Sequence, residues 1–83
     1  MMDMQKLVDC FVQTLGIERH QVTLDLAYQS LEPWDSVGHM ALVAEIENTF
    51  NVTFDTDDII GMSDVSKTVE ILRKHGVVLD APA

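Results

Sequence analysis

Apolar side chains recur at spacings of three and four residues near the start of this chain, which is the period of an amphipathic helix and not of a strand. The residues of this stripe are Met4, Leu7, Val8, Phe11, Val12 and Leu15. Asp3 is suited to the N-cap position, and Gly16 directly follows the last apolar residue, where helices commonly end. The sequence therefore predicts a first helix over residues 4–15.

A second helix is predicted after a long segment that has no sustained period. Residues 17–34 scatter apolar side chains between polar ones. We expect an ordered loop there, since a structureless loop of this length is uncommon and these apolar side chains can anchor it. Pro33 disfavours helical backbone at the residue before it. The new helix is expected to begin at Asp35–Ser36 and to run to about Phe50.

Two shorter patterns follow. Residues 52–54 would make a strand of only three residues with no partner strand, so we do not expect a sheet. Asp55 and Thr56 can cap a helix of one or two turns that Gly61 closes. The candidate N-caps of a last helix are Ser63, Asp64 and Ser66. The apolar stripe of that helix comprises Val65, Val69 and Leu72.

These patterns predict an all-α fold, a four-helix bundle with three longer helices, one short helix and a long loop between the first two. The chain has 83 residues, enough for one domain over residues 1–83. The core is expected within residues 4–75, and Gly76 should end the last helix. We expect residues 76–83 to form a loose tail. Cys10 lies beside the first stripe and is interpreted as a small packed hydrophobe, with a reactive thiol as the alternative.

Charge restricts the partners of this chain. Fourteen acidic residues against five basic ones give a net charge of −9, which argues against nucleic-acid binding and against anionic membrane surfaces. It favours basic protein surfaces as partners. A single cysteine excludes an internal disulfide framework. The chain has no apolar run of about 18 residues and begins without basic charge, so we expect no membrane span, no export and a cytoplasmic location.

The helix from Ser36 to Phe50 carries two apolar faces. Its large side chains form the expected core face: Leu42, Val43, Ile46 and Phe50. Almost opposite lies a second stripe: Val37, Met40, Ala41 and Ala44. Glu45 and Glu47 flank this stripe. An exposed apolar strip between acids indicates a docking surface, although alanine is also simply a good helix former.

Ser36 lies at the start of this helix, next to the second stripe. Asp35 is a suitable N-cap, and a negative group on the Ser36 hydroxyl would be stabilised by the first-turn N–H groups and the helix dipole. The alternative is that the two residues are only a cap pair.

Several chemistries do not fit the residues. His39 follows Ser36 by one turn, but it falls on the core face, and no nucleophile elbow surrounds the serine. We therefore interpret His39 as a partly buried structural residue and not as part of a hydrolase. The acids from Asp55 to Asp58 lack the ligands of a calcium loop, so we expect caps and a solvated face. The three histidines have no ligand spacing, and no metal site is predicted.

Taken together, these residues resemble the acyl carrier proteins and the related peptidyl carrier domains, including free-standing bacterial members. The matching segment is Trp34-Asp35-Ser36-Val37-Gly38-His39-Met40, which is similar to the family's Asp-Ser-Leu attachment motif. The resemblance extends over residues 4–75 without gaps. It also covers positions of the family's core: Leu15, Val22, Leu42, Ile46, Phe50, Phe54, Ile59, Val65 and Val69.

The resemblance implies that a separate phosphopantetheinyl transferase modifies Ser36 with 4′-phosphopantetheine from coenzyme A. The arm would carry an acyl or aminoacyl group as a thioester between partner enzymes (an acyl-activating ligase and a synthase or transferase), so the chain is expected to be a monomeric carrier and not an enzyme. Partner recognition is expected at Asp35, Val37, Met40, Ala41, Ala44, Glu45 and Glu47. Candidates for an acyl-chain lining are Ile46, Ile59, Ile60 and Met62, each of which could equally be core.

The sequence also departs from the family pattern. Val37 replaces the usual leucine, and Ser30-Leu31-Glu32-Pro33 replaces the commoner Asp-Leu-Gly approach to the serine. Gly38, Ala41 and Asn48 stand where members in fatty-acid synthesis often carry acids. The second helix is therefore less acidic than in those members, which counts against primary fatty-acid synthesis, so the pathway is expected to be of fatty-acid or of specialised-metabolite type. The alternatives are a peptidyl or aminoacyl carrier, or an interaction module that keeps the fold without the cofactor.

Overall fold

The computed structural model describes residues 3–80, and its first helix has the bounds that the stripe predicts. α1 spans Met4–Leu15. The Asp3 carboxylate accepts a hydrogen bond from the Gln5 amide at 2.9 Å, which satisfies one of the N–H groups left unpaired at a helix start. Gly16 ends the helix in the left-handed region, with φ of 65°, and its amide bonds to the Val12 carbonyl. A single 3₁₀ turn at Arg19–Gln21 follows.

Aspartates cap the N-termini of the other three helices. α2 spans Ser36–Phe50, α3 spans Thr56–Gly61 and α4 spans Val65–Lys74. Their N-caps are Asp35, Asp55 and Asp64, each with a side-chain oxygen that accepts the backbone amide three residues later. The predicted bounds of α2 and α3 are confirmed, and Asp64 is the cap of α4 among the three candidates. The last helix ends at Lys74, two residues before Gly76.

The long loop between α1 and α2 is ordered, as expected. Trp34 is completely buried and packs edge-on against Phe11, with ring centroids 5.2 Å apart. The Tyr28 amide donates to the Ser63 carbonyl at 2.9 Å, which ties the loop to the segment before α4. Backbone hydrogen bonds from Val65 and Ser66 back to the loop add to this connection. The loop is therefore part of the bundle and fixes the approach to Ser36.

The core lies between the four helices. α1 packs against α2, and α3 packs against α4. All four residues of the predicted core face of α2 are buried, together with Trp34 and the α1 stripe except Val12, which is partly buried. The all-α class and the four-helix arrangement are confirmed over residues 3–80, which contain no β-strand but only isolated bridge residues. No helix in this part of the chain is long and apolar enough to cross a membrane.

The structure confirms the interpretation of Cys10 and corrects that of the C-terminal tail. Cys10 is buried as a packed hydrophobe, with its thiol 3.4 Å from the Thr49 hydroxyl, and burial raises the pKa of the thiol. The loose tail is not what the structure shows for residues 77–80. Leu79 is buried in the core, and the Asp80 carboxylate accepts the Met4 amide at 2.6 Å. The rest of that predicted tail, residues 81–83, lies outside the described residues.

Asp58 also corrects an expectation. The acids from Asp55 to Asp58 were expected on caps and a solvated face, but Asp58 is buried between α3 and α4. Its carboxylate binds the Lys74 ammonium and lies 2.7 Å from Nε2 of His75. These two hydrogen bonds lower the pKa of Asp58 to about 2, against the opposite effect of burial. The short helix α3 is thereby fastened to the end of α4.

Candidate functional site

Ser36 is the first residue of α2, and its side chain is exposed at the surface. Asp35 precedes it as N-cap, and Asp35 Oδ1 accepts the Gly38 amide at 2.8 Å. The positive end of the dipole of a 15-residue helix therefore lies at the Ser36 hydroxyl. A phosphate ester on this oxygen would project outward and would be stabilised by that end of the helix. The position fits a phosphate-linked arm.

Gly38 explains how the loop reaches the serine at this angle. A Cβ atom on Gly38 would lie 2.1 Å from the Pro33 carbonyl oxygen and 3.2 Å from Cδ2 of Leu15. The backbone before Ser36 therefore passes directly over the first turn of α2, at a distance that only glycine permits. The acidic side chain that members in fatty-acid synthesis often carry at this position would not fit here, which gives the departure at Gly38 a physical reason.

His39 is held through both ring nitrogens, one turn after Ser36. Trp34 Nε1–H donates to His39 Nδ1 at 2.9 Å, and His39 Nε2 lies 2.9 Å from the Ile59 carbonyl oxygen. The Trp34 and His39 rings are stacked, with an interplanar angle of 20°. The prediction of a partly buried structural histidine is confirmed. Its partners were missed, and the only signal for them in the sequence was a tryptophan two residues before the serine.

The second stripe of α2 is exposed as predicted. We call Val37, Met40, Ala41 and Ala44 the α2 outer face. Val37 is 78% exposed and Met40 is 54% exposed, and both alanines are exposed as well. Large apolar side chains exposed side by side on one helix are unusual for a surface that meets only water.

Glu45 and Glu47, which flank this face, are less available for contacts with a partner than their positions in the sequence suggested. Glu47 is half-buried, and its Oε2 accepts the Phe54 amide at 2.7 Å, which orders the turn after α2. Glu45 is half-buried and accepts the Thr49 hydroxyl at 3.3 Å. The outer face is therefore bordered by carboxylates that bond within the protein itself.

Three of the four candidate lining residues meet at one cavity. It has a volume of about 260 Å³, and its walls are Tyr28, His39, Ile59, Ile60, Met62 and Ser63. Ile46 does not line this cavity, because it is completely buried in the core. The other three wall residues, Tyr28, His39 and Ser63, were not among the candidates. No group of three or more histidine, cysteine, aspartate or glutamate side chains within residues 3–80 is arranged to hold a metal ion.

Comparison with known proteins agrees with this geometry. Residues 5–72 match the family model described as the phosphopantetheine attachment site. The chain belongs to the acyl carrier protein family. An acyl carrier protein of Lactobacillus johnsonii is 30% identical over 70 residues, which cover 84% of this chain and 88% of that protein. Acyl carrier proteins of Lactococcus lactis subspecies cremoris and lactis are 34% identical over 67 residues, 80% of this chain and 90% of those proteins.

Membership in this family defines the class of function. The chain is an acyl carrier protein with a phosphopantetheine attachment domain, and the prosthetic group of that domain is 4′-phosphopantetheine. The family consists of carriers that serve biosynthetic enzymes and do not themselves catalyse.

Proposed function

We propose that Ser36 carries the 4′-phosphopantetheine arm of this protein. The observation that supports this assignment is an exposed hydroxyl at the first residue of α2, directly after the capping Asp35. When attached, the arm supplies a terminal thiol that holds an acyl or aminoacyl group as a thioester. The protein would then pass this group between an acyl-activating ligase and a synthase or transferase of a biosynthetic pathway, as either fatty-acid or specialised-metabolite chemistry requires.

The attachment needs a separate transferase. Ser36 Oγ would form a bond to the phosphorus of the phosphopantetheinyl group of coenzyme A, the pyrophosphate bond would break, and adenosine 3′,5′-bisphosphate would leave. The hydroxyl proton has to go to a base of the transferase. His39, the nearest histidine in sequence, has both ring nitrogens in hydrogen bonds to Trp34 and Ile59. The chain therefore offers Ser36 as a substrate and does not activate it.

Intact-mass spectrometry tests this assignment. We expect a gain of about 340 Da, the mass of one covalently attached arm, after incubation with coenzyme A and a transferase of broad specificity. The gain should be absent in Ser36→Ala and unchanged in Ser66→Ala, a second exposed serine that lies in the first turn of α4. A protein that gains no mass would instead be an interaction module with the carrier fold. A gain that persists in Ser36→Ala would place the arm on another residue.

We infer that partners dock on the α2 outer face through apolar contact. The face begins next to Ser36 and carries no charged side chain at its own four positions. Because Glu45 and Glu47 bond to Thr49 and to the Phe54 amide, they are less suited to recruit basic groups than the sequence pattern suggested. The partner surface that fits this face is apolar, with Asp35 at its edge as a contact for the transferase.

Substitutions on α2 distinguish apolar from charged recognition. Met40→Asp should raise the KM of the transferase for this carrier by about tenfold or more, since docking would bury an unpaired charge. Glu45→Gln, which keeps the hydrogen bond to Thr49, should change that KM by less than about twofold, as expected of a weak surface charge. Val78→Asp, an apolar side chain of similar exposure outside α2, is the matched control. A larger effect of Glu45→Gln than of Met40→Asp would contradict apolar docking.

A further inference from the structure

The only tryptophan of the chain and His39 connect three parts of the fold. Trp34 lies in the loop before α2, His39 lies on α2, and Ile59 lies on α3. An indole N–H can only donate a hydrogen bond, and a carbonyl oxygen can only accept one. The neutral imidazole that satisfies both contacts therefore has its proton on Nε2, and it donates that proton to the Ile59 carbonyl oxygen at 2.9 Å. Trp34 thus fixes the tautomer with which His39 holds α3.

Apart from the hydrogen bond between His39 and Ile59, few contacts hold α3 to α2. α3 is six residues long and packs mainly against α4. Within residues 3–80, the contact from His39 to Ile59 is the one hydrogen bond that joins a residue of α2 to a residue of α3. Ile60, the next residue of α3, is 74% exposed and anchors the helix poorly. The hydrogen bond from His39 therefore contributes directly to the separation of α2 and α3 at this point, beside the contacts that hold α3 to α4.

His39 and Ile59 also form part of the wall of the 260 Å³ cavity. This volume is below the range of about 300–1,000 Å³ that is typical of pockets enclosing drug-sized ligands. Tyr28 and Met62 line other parts of the cavity, which is open to solvent on one side. If the cavity were to enlarge where α3 meets α2, Ile59 would have to move away from His39, and the hydrogen bond between them would break.

We propose that His39 is a positioning residue that limits the length of the acyl group this carrier can shelter. With its hydrogen bond to Ile59 intact, α3 stays close to α2, and only a short chain fits the cavity. Without the bond, α3 moves outward and a longer chain enters. This inference rests on the proposed function, because an arm on Ser36, one turn before His39, has to bring the chain to the cavity.

The test measures how well the thioester is sheltered at two chain lengths. Wild type, His39→Ala and the control His20→Ala, an exposed histidine on the 3₁₀ turn, are loaded by a transferase with hexanoyl- or dodecanoyl-coenzyme A. Hydroxylamine then cleaves the thioester to the hydroxamate and the free thiol. We expect the dodecanoyl thioester of His39→Ala to react about fivefold more slowly than that of wild type, the factor that the net free energy of one hydrogen bond gives. The hexanoyl rates and both rates of His20→Ala should match wild type.

A second variant and a spectroscopic signal separate this role from general loosening of the fold. Trp34→Phe keeps an aromatic ring but removes the N–H that fixes the His39 tautomer, so it should slow the dodecanoyl reaction in the same direction by a smaller factor. In His39→Ala the single indole ¹H–¹⁵N resonance of Trp34 should shift, which reports loss of its acceptor. Equal dodecanoyl rates in wild type, His39→Ala and Trp34→Phe, with that resonance shifted, would overturn the proposal.

The mass of each loaded protein distinguishes this failure from failure of the attachment. Full loading with equal rates contradicts the role of His39 alone. Absence of any mass gain contradicts the attachment at Ser36, and with it the route by which His39 could act.

Discussion

Replacing Gly38 by alanine is expected to destabilise this carrier by about 2 kcal/mol. The new Cβ would lie 2.1 Å from the Pro33 carbonyl oxygen, which belongs to backbone and cannot rotate away as a side chain can. Over-packing of this kind costs about 1–3 kcal/mol, and a contact this short belongs at the upper end of that range. Alanine recovers about 1 kcal/mol through its better helix propensity, which leaves the net loss stated above.

Gly61→Ala is the matched control for this substitution. Like Gly38, Gly61 lies in a helix and does not have a positive φ. Its added Cβ, however, would meet only Cδ1 of Ile71 at 3.4 Å, an ordinary van der Waals contact. We expect Gly61→Ala to leave the stability unchanged or to raise it by up to about 1 kcal/mol. Urea denaturation of both variants measures the difference. Equal stabilities of Gly38→Ala and wild type would mean that the Pro33 segment can move without cost.

The same substitution should affect the site. The Pro33 carbonyl is three residues before Ser36, so a displaced loop would shift the N-cap Asp35 and the hydroxyl that follows it. We therefore expect the transferase to modify Gly38→Ala more slowly than Gly61→Ala under conditions in which both are folded.

Local signals in the sequence were sufficient for the helices. The caps Asp3, Asp35 and Asp55 bond to amides two or three residues away, so the residue types near each start already specify it. The exposed position of Ser36 followed in the same way, from its place at a helix start next to an outward stripe. What is decided by neighbours along the chain was predictable.

Contacts between segments that are distant along the chain could not be predicted from the sequence. The Asp80 carboxylate accepts an amide 76 residues earlier, and nothing in residues 76–83 indicates that partner. Glu47 faces the Phe54 amide because the chain turns after α2, whereas helical periodicity places it only on the rim of the outer face. The hydrogen bonds of His39 depend on Trp34 and on a backbone carbonyl of α3, so the sequence indicated a structural histidine without its role.

Asp58 is the clearest such case, and it leads to a prediction about acid. Its side chain is 1% exposed and receives hydrogen bonds from Lys74 and His75, sixteen and seventeen residues later on the chain. The hydrogen bond to Asp58 in turn raises the pKa of Lys74. From the sequence, a run of acids such as Asp55–Asp58 is expected on a solvated surface. Only the packing of α3 on the end of α4 buries Asp58, and the sequence does not show that packing.

Below neutral pH, the protein is expected to lose stability mainly between about pH 4 and pH 2 through this carboxylate. The pKa of Asp58 is about 2 in the folded protein and about 3.9 in an unfolded chain. Over that interval the unfolded state binds more protons than the folded state, so the contribution is complete above the unfolded value and disappears as the pH falls through the folded one. Asp58→Asn should lower the stability at pH 7 and flatten its dependence on pH in this interval.

Asp57→Asn provides the comparison, because Asp57 is exposed in the first turn of the same helix. Both variants remove one carboxylate from α3, but only Asp58→Asn removes the carboxylate that is hydrogen-bonded to Lys74 and His75. Thermal unfolding at half-unit steps from pH 7 to pH 2 should therefore give nearly parallel curves for wild type and Asp57→Asn. The curve of Asp58→Asn should start lower and converge with them at the acid end. Curves for wild type and Asp58→Asn that stay parallel down to pH 2 would mean that Asp58 titrates as an ordinary surface acid, and that the contact of α3 with α4 is apolar.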